Sequence, residues 1–127
     1  MINLLRILLL VTPIVCEADG VSGADVLNRC MIAVAQSGGA TVSPSDAALA
    51  VWCYGYIGGL ADGILAERAL ASRADLQGFR VCLPDNVRLQ QLSLVIVNDL
   101  LMKHDLLPGS GGALAVGALA RKFPCKP

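Results

Sequence analysis

Apolar residues recur at helical spacing in four stretches of the chain, each with its own start and stop signals. The first follows Ser22, where Asp25 three residues on makes a relative of the capping box that satisfies free backbone N–H groups. Val26, Leu27, Cys30, Met31 and Val34 share one face, and the pattern fades at Ser37, Gly38 and Gly39. The second stretch has the clearest start, with Ser43 to cap, Pro44 suited to the first helical position and Asp46 at the positive end of the dipole. It runs on to about residue 71, long for a globular helix. No charge falls between Asp46 and Asp62, so this segment is expected to be the central buried helix of a bundle. A membrane-spanning reading is set aside because three glycines interrupt an uncharged run shorter than the roughly 20 residues a span needs. Gly55, Gly59 and Gly63 recur every fourth residue, which predicts close packing against a neighbouring helix or a second copy of the chain.

Residues 72–84 read as a connector. A third helix is predicted over residues 87–103, with Leu89, Leu92, Val95, Ile96, Leu100 and Leu101 on its apolar side and Asn98 and Asp99 facing solvent. After Leu107, Pro108 and Gly109, a last helix capped by Ser110 runs to about Lys122, weakened by Gly111, Gly112 and Gly117. No alternating run is long enough for a strand. The expected fold is all-α, a small disulfide-stapled bundle of about four helices.

Ahead of these helices, residues 1–18 have the layout of a secretory signal: Arg6 near the start, an apolar stretch over residues 7–15, and Cys16-Glu17-Ala18 at the cleavage position. Nine apolar residues are too few to cross a bilayer. Lipid attachment at Cys16 is the alternative, disfavoured by the bulk of Val15. Cleavage after Ala18 leaves one domain over residues 19–127, exported to the periplasm with no membrane anchor.

Removal of the leader also leaves four cysteines, Cys30, Cys53, Cys82 and Cys125, an even number that reads as a disulfide framework in a short exported chain. Cys30 and Cys53 lie at nearly equal distances from the turn near residues 38–41, and Cys82 and Cys125 straddle the turn near residues 105–109 in the same way. The spacing favours Cys30–Cys53 with Cys82–Cys125; Cys53–Cys82 with Cys30–Cys125 is the rival.

Charge and chemistry narrow the function by exclusion. Without Arg6 and Glu17 the balance is nine acidic against nine basic groups, with no basic cluster to neutralise nucleic-acid phosphates or to meet an anionic membrane. His104 is the only histidine, too few for a zinc site, and is placed to cap the third helix. Asp99 and Asp105 have no acid–base spacing and read as solvated charges. The glycine runs lack the strand–helix context and the Lys of a phosphate loop. No catalytic constellation and no cofactor site is expected.

Four motifs in order carry a resemblance. Cys53-Tyr54-Gly55-Tyr56-Ile57-Gly58-Gly59, then Cys82-Leu83-Pro84, then Gln91-Leu92 with residues 100–104, and finally Ala118-Leu119 with Phe123-Pro124-Cys125 resemble the Rap/Tai family of immunity proteins, and Cys30 matches the cysteine of that family's first helix. The likeness spans roughly residues 26–125. It departs at Arg88, where the family tends to place a capping Ser or Thr, at Asp105, where a Pro is usual, and in the glycine-rich run over residues 109–112.

The resemblance implies a periplasmic protein that binds a cognate type VI secretion amidase, often as a homodimer, and occludes the cleft that cuts peptidoglycan stems. It also implies that Tyr54, Gly55, Tyr56, Gly59, Pro84, Phe123 and Pro124 form scaffold together with the four cysteines. Recognition is then expected in exposed loops, at Arg73, Asp75, Phe79 and Arg80 in the connector and at His104 and Asp105 in the opposite turn. Phe79 has a second reading as a core anchor of that connector. The competing functions are a periplasmic stress or acid chaperone, for which one histidine gives little pH leverage, and an enzyme with a free cysteine.

Overall fold

The computed structural model describes residues 20–74 and 80–127. The leader over residues 1–18, Cys16 included, lies outside them. Among the described residues four α-helices follow in order, α1 (Gly23–Ser37), α2 (Pro44–Ala74), α3 (Leu89–Leu101) and α4 (Gly111–Lys122), with a 3-10 turn at His104–Leu106 between the last two. The only extended pairing among them consists of two isolated bridges, Ser22 with Ser110 and Val81 with Pro124.

Local chemistry accounts for where the helices begin. The Ser22 hydroxyl accepts from the Asp25 N–H at 3.1 Å, and the Ser22 N–H donates to the Asp25 carboxylate at 3.2 Å, closing a capping box. The Ser43 and Ser110 hydroxyls accept from the Asp46 and Ala113 N–H groups in the same way. At α3 the cap residue is Arg88, which offers no side-chain acceptor; the Gln91 side-chain carbonyl instead accepts from the Arg88 N–H at 3.0 Å. The helix accordingly starts two residues later than the apolar pattern suggests, and it ends at Leu101, short of Lys103.

The core is organised around α1, which packs against α2, α3 and α4. Val26, Leu27, Cys30 and Ala33 of α1 meet Leu92, Ile96, Val97 and Leu100 of α3, and Ala115, Ala118 and Leu119 close the far side from α4. Helix α2 is not the central helix that its composition predicts. Ala50, Cys53, Ile57 and Ile64 bury one narrow face, while Val51, Leu65 and Leu70 are 50–69% exposed. Its 31 residues span about 46 Å at 1.5 Å per residue, twice the length of α1 or α3. Past Ile64 no described residue of α2 is buried.

By length and composition α2 is apolar enough to cross a membrane. Its middle is nevertheless bonded to α1 through Cys53, and the Arg29 guanidinium lies 4.2 Å over the Trp52 ring one residue away. A bilayer core at that depth would have to admit the charges of α1.

Both disulfides follow the spacing argument. Cys30–Cys53 ties α1 to α2 inside the core, beside the fully buried Ser93, whose hydroxyl is 3.7 Å from the Cys53 sulfur. Cys82–Cys125 ties the connector to the C-terminal tail, where the Cys82 N–H also donates to the Phe123 carbonyl at 2.8 Å and the Cys125 N–H to the Arg80 carbonyl at 3.4 Å.

The N-termini of α1 and α4 interlock. The Gly23 and Ala24 N–H groups donate to the carbonyls of Gly109 and Leu107, and the Gly111 N–H returns to the Val21 carbonyl at 2.7 Å. Each helix thus has first-turn donors satisfied by the loop leading into the other. A Cβ on Gly111 would sit 2.7 Å from the Ser22 carbonyl oxygen, so Gly111, which looks like a weakness in a helix, is what lets the two ends approach.

Candidate protein-interaction surface

Four regions of the surface carry the residues singled out above. The first joins α1 to α2. Trp52 and Tyr56, one turn apart, stack with ring centroids 5.0 Å apart, and Arg29 covers the outer face of Trp52 while its guanidinium is 4.0 Å from the Asp25 carboxylate. Partial burial pushes the Tyr56 hydroxyl above its ordinary pKa. Two hydrogen bonds from Ser22, with Arg29 nearby, hold the Asp25 carboxyl below its own. Tyr54 points the other way, donating its hydroxyl to the Ala33 carbonyl at 3.0 Å, and so fastens α2 to α1.

The second region is an apolar groove of about 610 Å³ between α2 and α4, lined by Gly59, Leu60, Gly63 and Ile64 on one side and residues of 112–117 on the other. An added Cβ at Gly55, Gly59 or Gly63 would meet nothing within 4 Å among the described residues. Among the described residues no neighbouring helix packs closely on the glycine stripe, against the expectation from its spacing.

The third region is the α3–α4 face. Asp99 is not a solvated charge: only 14% of its side chain is exposed, and it accepts from Lys103 at 2.9 Å and from Arg121 at 3.0 and 2.6 Å. The Arg121 hydrogen bonds, aided by Lys103, hold the Asp99 carboxyl below the ordinary carboxylate range against the effect of burial. The pair links α3 to α4 across the protein surface. Beside it two shallow clefts meet at Val95, Asn98 and Lys122.

The fourth region comprises the loops expected to recognise a partner. Arg73 falls within the last turns of α2, with its side chain outside the described residues, as are Asp75 and Phe79. Arg80 is exposed and sits against the C-terminal tail, at the end of α4. His104 and Asp105 are exposed in the 3-10 turn, which leads into the other end of α4. The described candidates are thus at opposite ends of one helix and do not form a single site. His104 follows α3 by three residues instead of capping it. Pro84 is exposed in the connector, its carbonyl accepting from the Val87 N–H, while Phe123 packs on the core and Pro124 pairs with Val81.

Sequence reasoning passes over the Arg29–Trp52 and Asp99–Arg121 contacts. Asp25 with Arg29, and Trp52 with Tyr56, stand four residues apart, the one local signal for the first. The second joins residues 22 apart in sequence and leaves none.

Among the described residues no three His, Cys, Asp or Glu side chains converge as a metal site. The profile that describes the Rap1a immunity proteins matches residues 22–125. No curated protein and no solved structure matches the chain.

Proposed function

The chain belongs to the Rap1a immunity proteins, and from that premise we propose that it guards its producer by binding a type VI secretion amidase in the periplasm and covering the cleft that cuts peptidoglycan. The observation that carries the reading is the match over nearly the whole body of the protein, from the cap of α1 to the last cysteine. Two disulfides in a chain of this size agree with an oxidising compartment and with an export signal over residues 1–18, cleaved after Ala18. All four cysteines of the mature domain are bridged, which supports a binder that acts by occlusion and works against the free-cysteine enzyme. The homodimer implied by the resemblance belongs to the same reading, and light scattering of the mature protein tests it.

The direct experiment is a titration of the mature, oxidised protein against the amidase encoded nearest to it, followed by a peptidoglycan-cleavage assay. Tight binding with loss of cleavage is expected. A folded protein that leaves cleavage untouched by that amidase and its relatives would overturn the proposal and favour the chaperone reading.

A further inference from the structure

The α3–α4 face has a cleft that its own side chains do not fill. About 520 Å³ lie open between the connector turn, the outer face of α3 and the end of α4. Val87, Leu94, Val95 and Phe123 give it an apolar lining, and Asn86, Gln91, Asn98 and Lys122 are the amide-bearing and charged residues among them. The Gln91 side-chain carbonyl is engaged by the Arg88 N–H, which leaves its NH₂ as donor. The cleft continues past Asn98 and Lys122 into a smaller one of about 270 Å³.

The charges here are one-sided. No carboxylate lines the larger cleft; Asp85 is exposed in the adjoining turn but is not part of the lining. The one carboxylate in the smaller cleft is Asp99, already bound by Arg121 and Lys103. Residues 106–127 hold Arg121, Lys122 and Lys126 and no acid. Lys122 therefore stands without an anionic partner among the described residues, in a lining otherwise made of apolar groups and amides.

We propose that this α3–α4 cleft is a docking surface for an extended, acidic segment of the effector protein, with Lys122 receiving a carboxylate. Amides spaced along an apolar trough suit an extended backbone, whose carbonyls and N–H groups they pair while alternate side chains enter the trough. The single unpaired cation in the lining calls for a carboxylate and is too little charge for a nucleic acid, which needs many phosphate contacts. The inference rests on the effector-binding reading above and adds where and by what chemistry the effector is held.

The test titrates wild type, Lys122→Glu and Lys122→Arg, in the full mature oxidised form, against the neighbouring amidase. The wild-type complex is then treated with a carbodiimide, which couples an amine only to a carboxylate in direct contact. Thermal melts and intact-mass measurement of both disulfides keep misfolding from mimicking lost binding. Lys122→Glu is expected to weaken binding at least about tenfold, with Lys122→Arg within about threefold of wild type. Mass spectrometry is expected to find Lys122 coupled to an Asp or Glu of the amidase. Wild-type affinity in Lys122→Glu, with no coupling at Lys122, overturns the cleft and leaves the immunity reading standing. Absence of binding by folded wild type overturns that reading itself.

Discussion

At Asp99 one carboxylate accepts hydrogen bonds from Lys103, just past the end of its own helix, and from Arg121 on α4, and most of its side chain is covered. Its pKa lies below the ordinary value chiefly because of the Arg121 hydrogen bonds. A carboxyl depressed in the folded state adds stability above its unfolded pKa and loses it as pH falls through the folded value. Asp99→Asn is therefore expected to lower stability by about 1 kcal/mol at neutral pH, since Arg121 is half exposed and water screens the pair. The difference in melting temperature from wild type should shrink on acidification. A difference that stays constant down to strong acid would assign the loss to packing instead of charge. Asp25, depressed through Ser22, moves in the same direction but lies at an exposed helix start.

Among the elements, α4 shows why a glycine is judged by its surroundings and not by helix propensity alone. Gly111→Ala would press a methyl group to 2.7 Å from both the Ser22 carbonyl oxygen and a Val26 methyl, and the ends of α1 and α4 would have to part. A loss of about 1–3 kcal/mol is expected in urea unfolding. Gly59→Ala, whose methyl meets nothing within 4 Å among the described residues, should gain about 1 kcal/mol when measured on dilute protein. Equal midpoints for the two variants would refute the interlocked helix ends. The same contrast separates what sequence shows from what it hides. Caps at Ser22, Ser43 and Ser110 are local devices and are legible as written. The exposure of α2 is not legible, because an apolar run records composition, whereas burial depends on which partners the fold brings to it. Asp99 looks solvated until Arg121 is brought to it by the fold. The cleft beside Lys122 is hidden for the same reason, since connector, α3 and α4 meet there only in three dimensions.

For the whole molecule, the two disulfides differ in access. Cys30 and Cys53 are fully buried, whereas Cys82 and Cys125 are partly open to solvent. A rising dithiol concentration should open Cys82–Cys125 first, and alkylation with peptide mapping should find label at those two positions before any at Cys30 or Cys53. Label appearing first at Cys30 would contradict the buried placement. Each bridge closes a separate loop, with sequence separations of 23 and 43, and each is worth about 3–4 kcal/mol against the unfolded chain. Because the loops neither overlap nor nest, the native partners are the ones that emerge consecutively when a chain is delivered amino end first. Cys30 meets Cys53 before Cys82 exists to compete, and Cys82 then finds both earlier thiols already spent. On the proposed cleavage after Ala18, which would remove Cys16 as well, an oxidant acting during delivery makes the correct bonds in order of arrival, and the chain's biogenesis calls for no reshuffling step.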